Sequence, residues 1–146
     1  VIRALEHMDV PSVLFFLGIL LAVGVLQHTG LLTQLAGMLT NTFENEKIIL
    51  TLIGMLSAIV DNVPIVAATM AMYSMDVYPM DDSFWQLLAF CAGTGGSLLI
   101  IGSAAGVAAM GLEKIPFGWY LKHITWLALL GYLSGIGAFI LQEQLF

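Results

Sequence analysis

Asp61, Asn62 and Pro64 interrupt a stretch of sequence that is otherwise apolar over residues 48–75. Asp61 is the only acidic residue with long apolar flanks on both sides, residues 50–60 before it and residues 63–72 after it. A charge at that depth in a lipid-like medium costs several kcal/mol, so such a carboxylate faces a cavity or a partner rather than hydrocarbon. Pro64 removes a backbone donor and disfavours helix at Val63, which frees carbonyl oxygens around the interruption. A carboxylate, an amide and free carbonyls together make an oxygen-rich group that suits a hard cation. Asp61 and Asn62 are therefore the first candidates for a cation or proton site, and the first candidate metal ligands. The plainer alternative is a helix cap beside a proline kink.

A second interruption, Gly93-Thr94-Gly95-Gly96-Ser97, falls in the apolar stretch of residues 84–111. It lacks the lysine of a phosphate-binding loop, which argues against a nucleotide. Glycine is a poor helix former, so Gly93, Gly95 and Gly96 are expected to unwind this stretch as Val63 and Pro64 unwind the first. Thr94 and Ser97 place hydroxyl oxygens beside the break, and Ser103 is a weaker candidate ligand. Irregular backbone at membrane depth is tolerated where it lines a cavity, and discontinuous helices recur as ion sites of secondary transporters. Gly102 with Gly106, and Gly131 with Gly135, stand four apart and read as helix-packing positions. His7, His28 and His123 lie near the ends of apolar stretches and read as interfacial. Cys91 is the single cysteine, which excludes an internal disulfide and a thiolate cluster. No nucleophile and base pair can be assembled from these residues, so neither an enzyme nor a bound cofactor is expected.

The elements that must position these groups are apolar stretches of helical character. Residues 10–28 are expected to span a membrane, with Asp9 and Pro11 at the start and Thr29-Gly30 at the end. Residues 31–42 repeat leucine at 31, 35 and 39 with polar residues between, the pattern of a short interfacial helix. Each arm of residues 48–75 reaches only about 18 Å against a hydrocarbon core of about 30 Å. That stretch is either one broken crossing or a re-entrant hairpin. Asp76, Asp81 and Asp82 make the following loop acidic. Residues 84–111 form a broken spanning helix, and residues 117–141 a further one with Trp119 and Tyr120 in an aromatic belt.

Composition supports lipid as the solvent. Of the 146 residues 60% are hydrophobic and only 10% charged, against about 25% charged in soluble domains. A chain of this size cannot hide so much apolar surface in its own core, so residues 1–146 read as a single all-α domain integral to a membrane. A net charge of −6 with scattered basic residues excludes nucleic acid as a partner. The chain begins at Val1 without an initiator methionine and reads as part of a longer protein. In either reading of residues 48–75, Lys114 and Lys122 fall on the cytoplasmic side and the C-terminus outside.

At Ser57-Ala58-Ile59-Val60-Asp61-Asn62-Val63-Pro64, at Cys91-Ala92-Gly93-Thr94-Gly95-Gly96-Ser97 and at Gly102-Ser103-Ala104-Ala105-Gly106, the chain resembles the NhaD-type sodium/proton antiporters of the ion transporter superfamily. The resemblance covers essentially the whole chain, as the C-terminal half of such a protein. It implies an inverted-repeat fold in which each half supplies a re-entrant hairpin and an unwound helix to a central site. On that analogy residues 48–75 are the hairpin, with Asp61 and Asn62 at its tip, and Gly93 to Ser97 the facing break. Only one repeat is present, so this piece alone is not expected to transport.

The expected function is exchange of sodium, with lithium as a second substrate, for protons. Asp61 is the group both cations compete for, and Asn62, Thr94 and Ser97 complete the oxygen shell. The transported sodium ion and proton are substrates, not cofactors. The partners are the lipid bilayer, the N-terminal repeat of the same protein and, as an option, a second copy in a homodimer. The location is a bacterial inner membrane, crossed several times. The rivals are a sodium-coupled carrier of dicarboxylate, citrate or arsenite, and a membrane subunit that transports nothing.

Overall fold

The computed structural model describes residues 10–43 and 45–145, so Arg3, His7, Asp9 and Glu44 lie outside the described residues. Every regular element among the described residues is a helix. Helix α1, Val10–His28, carries no acidic residue, lysine or arginine along its 19 residues. It ends where Thr29 Oγ1 donates back to Leu26 O and Gly30 turns left-handed at φ 74°, a conformation that glycine adopts without a Cβ clash. Helix α2, Leu31–Thr42, then leaves at about 75° to the last turns of α1. It buries Leu32 and Ala36 and exposes Leu31, Leu35 and Met38.

Helix α3, Glu46–Leu56, starts on an Asn45 cap that accepts from Lys47 N at 2.9 Å, with Glu46 in the first turn where the helix dipole favours it. Its buried face is Ile49, Leu50, Ile53 and Gly54. The helix tightens into three-residue turns after Leu56, and Asp61 is extended at ψ 143°. Helix α4, Asn62–Met72, follows directly. Val63 and Pro64, expected at the break, instead lie in the first turn of α4, where a missing N–H has no helical acceptor to lose. The interruption is residues 57–61. It opens at Ser57, whose hydroxyl donates to Gly54 O at 2.7 Å and to Ala92 O of the facing segment at 3.0 Å.

After α4 the chain has returned to the level at which α3 began. Tyr73 packs on Phe84 at a centroid distance of 5.0 Å, and Tyr78 stacks on Phe84 at 4.1 Å and reaches Glu46 at the start of α3. The acidic loop is therefore pinned by aromatic rings. Trp85 adds its indole N–H, donated to Tyr78 O at 2.9 Å.

Helix α5, Ser83–Gly95, is capped by Asp82, which accepts from Phe84 N at 2.8 Å. It runs parallel to α3, with Ser83 beside Lys47 at one end and Cys91 and Gly95 against Gly54 at the other. The glycine-rich break was expected at residues 93–97, but Gly93, Thr94 and Gly95 form the last turn of α5. The chain leaves helix only at Gly96 and re-enters it at α6, Ala104–Leu112. Here glycine serves close packing as well as unwinding, so composition alone displaces the break by a turn.

The stretch expected as one helix over residues 117–141 is two, α7 at Phe117–His123 and α8 at Thr125–Leu145. Tertiary hydrogen bonds hold the interruption: Tyr120 OH donates to Ser97 O at 2.7 Å and Thr125 Oγ1 to Leu98 O at 2.8 Å. From there α8 runs antiparallel to α3 and α5. Tyr132 OH donates to Thr51 O at 2.7 Å, and Glu143 pairs with Lys47 while accepting from Ser83 Oγ at 2.7 Å. The 21 residues of α8 reach about 31 Å, enough for a hydrocarbon core. Among the described residues α8 is the one helix long and apolar enough to cross a membrane alone, and the bent end of α1 with α2 passes the same test jointly. Trp126, Leu127, Leu130 and Leu141 face outward from α8.

Candidate functional site

The two interruptions touch each other. A Cβ built on Gly95 would fall inside the van der Waals shell of Gly54 O, and one on Gly102 inside that of Ser57 O. Backbone thus packs on backbone at both contacts, which only glycine permits. Ser57 is fully buried, and its hydroxyl lies 2.7 Å from Gly54 O and 3.0 Å from Ala92 O. One proton is shared between its own helix and α5.

Because α3 and α5 are parallel, their C-terminal carbonyl ends converge at this contact. Carbonyls without helical partners carry the negative end of each helix dipole, so the field at the junction favours a cation. Ile100, inside the second break, is left-handed at φ 60°. That region is an outlier for a β-branched residue, and Ile100 O accepts from Ser103 N at 3.2 Å within the same segment.

Asp61 follows the junction at the N-cap position of α4. Its carboxylate is half-buried and makes no capping hydrogen bond. Among the described residues no basic side chain pairs with it. Asn62 is also half-buried, and it lines a cavity of about 430 Å³ together with Ala92 and Gly93 of α5. The tip of the first pair of helices and the last turns of α5 therefore share one wall.

The hydroxyls expected to complete the shell are bonded locally. Thr94 Oγ1 donates to Phe90 O at 2.6 Å, Ser97 Oγ donates to Thr94 O at 2.6 Å, and Ser103 Oγ caps α6 by accepting from Gly106 N at 3.2 Å. None of these bonds runs to Asp61 or Asn62. Thr94 and Ser97 use their protons on backbone carbonyls, so their lone pairs stay available to a cation. Gly96 is buried in the turn next to Gly102. Among the described residues no group of three or more His, Cys, Asp or Glu side chains comes together. One carboxylate among neutral oxygens suits a monovalent cation better than a divalent one.

The part played by Ser57 and Gly102 is not apparent from the sequence alone. Ser57 belongs to the same motif as Asp61 but carries no signal of burial, and Gly102 reads as a packing glycine paired with Gly106. Nothing in the sequence marks Ile100. Beside the start of α3, burial and then the Glu46 carboxylate push the Tyr78 phenol above its ordinary range, so it stays neutral.

A family described as citrate transporter matches residues 1–83. The chain is 51% identical over 143 residues to sodium/proton antiporter 1 of Arabidopsis thaliana, covering 98% of this chain and 25% of that protein. It is 48% identical over 138 residues to sodium/proton antiporter 2 of the same plant, covering 94% and 33%. To the Na(+)/H(+) antiporter NhaD of Vibrio cholerae it is 38% identical over 138 residues, covering 93% and 28%. The chain thus spans a quarter to a third of the length of these relatives. No solved structure matches it. The relatives are membrane transporters rather than enzymes, and by the match over its first 83 residues this chain belongs to the citrate transporter family.

Proposed function

We propose that this chain supplies one part of the ion site of a sodium/proton exchanger, with lithium as an alternative cation. The observation that supports this most strongly is the contact between the two breaks, where the carbonyl ends of α3 and α5 meet beside a carboxylate that no basic side chain among the described residues pairs. On this reading residues 48–75 are a re-entrant hairpin with Asp61 at its tip. Asp61 holds either a proton or a sodium ion, which neutralises its charge while the site changes sides. Asn62, Thr94 and Ser97 add oxygens, and Ser103 fixes the start of α6. The relatives' names, sodium/proton antiporter and NhaD, point the same way. The rest of the site comes from an inverted repeat elsewhere in the parent protein, which crosses an energised membrane, such as a bacterial inner membrane, several times.

The test is Asp61→Asn in the full-length parent reconstituted in proteoliposomes. Sodium-driven proton movement, followed with a pH-sensitive dye, is expected to disappear while the protein remains folded and monodisperse. Unchanged exchange overturns the assignment.

The family description favours a second reading, a sodium-coupled carrier of citrate or a related anion. Nothing basic lies between Lys47 and Lys114 to hold a carboxylate substrate. Labelled citrate entering with sodium, without proton counterflow, would decide for the carrier.

A further inference from the structure

Two carbonyls of the second break have lost their helical donors. Ile101 N, which in a continuing helix would reach Ser97 O, turns instead to Leu99 O at 2.7 Å. Among the described residues no backbone N–H reaches Ser97 O or Leu98 O. Hydroxyls from another part of the chain take their place, Tyr120 OH on Ser97 O at 2.7 Å and Thr125 Oγ1 on Leu98 O at 2.8 Å. Side-chain donors commonly satisfy carbonyls that a helix end leaves open.

The two carbonyls so held lie between the glycines that meet the first break. A Cβ on Gly96 would stand 3.2 Å from Gly102 O and 3.7 Å from Ser57 O, and one on Gly102 would fall inside the shells of Ser57 O and Ala58 O. Residues 97–101 therefore form a short loop with both ends beside Ser57, and its first two residues are gripped from outside. The grip comes from the elbow between α7 and α8. Helix α8 is bonded in turn to α3, where Tyr132 OH donates to Thr51 O at 2.7 Å. The second break is thus referenced to the hairpin twice, by direct glycine contact and through α8.

We propose that Tyr120 and Thr125 are positioning residues for cation binding. They touch no ion; they set how the second break sits against Ser57 and Ala58, the residues that lead into Asp61. Hydrogen bonds that hold the surroundings of a metal ion in register are typically worth about 10–100-fold in affinity. The assignment rests on reading Asp61 as the ion site.

The test measures binding of radiolabelled sodium to the full-length parent in detergent, which requires no transport. Tyr120→Phe and Thr125→Val are each expected to raise the sodium Kd about tenfold. Thr125→Ser keeps the hydroxyl and should stay within about twofold of the parent value. Ser83→Ala removes a tertiary hydroxyl bond at the opposite end of α5 and should leave the sodium Kd unchanged. Tyr120 and Thr125 hold different carbonyls, so if one variant fails to fold the other decides. Unchanged affinity in the folded variants, loss of affinity in Thr125→Ser, or an equal loss in Ser83→Ala would overturn the proposal. Sodium binding that is absent from the parent, or that survives Asp61→Asn, would overturn the ion-site reading and this assignment with it. Binding that depends on Asp61 but not on Tyr120 or Thr125 would overturn this assignment alone.

Discussion

The Ser57 hydroxyl lies 3.0 Å from the carbonyl oxygen of Ala92, across 35 positions of the chain. This hydrogen bond ties the first interruption to the helix that leads into the second. It is fully buried, so no water can replace either partner.

Ser57→Ala removes the donor, so Ala92 O loses its cross-helix partner, while Gly54 O keeps its bond from Ser57 N. A buried polar group left unpaired costs about 1–3 kcal/mol. The expected result is a lower thermal midpoint of the detergent-solubilised parent, with exchange reduced because the two breaks lose their alignment. An unchanged midpoint would show that the bond does not hold the junction.

Three of the four glycines around the second break divide by what surrounds them. Gly95 and Gly102 have backbone oxygen where a Cβ would go, whereas nothing lies within 4 Å of that position at Gly93. Gly95→Ala or Gly102→Ala forces the breaks apart, at about 1–3 kcal/mol or more for overpacking. Gly93→Ala is expected to leave the fold intact, and alanine is the better helix former by up to about 1 kcal/mol. Midpoints of the three variants, measured side by side, check the ordering.

Pro64 lies in the first turn of α4, downstream of the interruption. Pro64→Ala is therefore expected to change stability by only about 1 kcal/mol, mostly through the freedom of the unfolded chain. If proline itself made the break, the variant would fuse α3 with α4, and a spin label pair at the outer ends of the two helices would move apart. The structure leads to an unchanged separation.

These cases show what the sequence makes legible. The all-helical character and the division at Thr29-Gly30 follow from apolar runs bounded by glycine, proline and charge, which are local signals. The first interruption is visible as Asp61, Asn62 and Pro64, but its seat at Ser57 depends on Ala92, a contact no local pattern contains. The second break reads one turn early because glycine marks both unwinding and close approach, and only the position of Gly54 separates the two. The division of residues 117–145 at Ile124 comes from Tyr120 and Thr125 reaching Ser97 and Leu98, so no propensity announces it. Asp61 and Asn62 stand out as candidates because polar groups are rare in such a stretch. The hydrogen bonds that occupy Thr94, Ser97 and Ser103 become visible only in three dimensions.

At the outer end of the bundle, Lys47 of α3 pairs with Glu143 of α8 while Ser83 of α5 donates to the same carboxylate. Three helices meet at one anion, and Glu46 and Asp82 line the same small cleft. Lys47→Glu puts a further carboxylate among these groups and removes the only cation among the described residues of the cleft. It is expected to lower the thermal midpoint, more at low salt than at high salt, because the groups are exposed enough to be screened. Glu143→Lys alone is also expected to destabilise, since it sets two ammonium groups against each other and takes the acceptor from Ser83. Combining the two restores an opposite pair across the same gap. The double variant should therefore recover most of the midpoint lost by either single change, and recovery should fade as salt rises. Additive losses would mean that the two charges act independently and that α8 is held to α3 by Tyr132 and Thr51 alone.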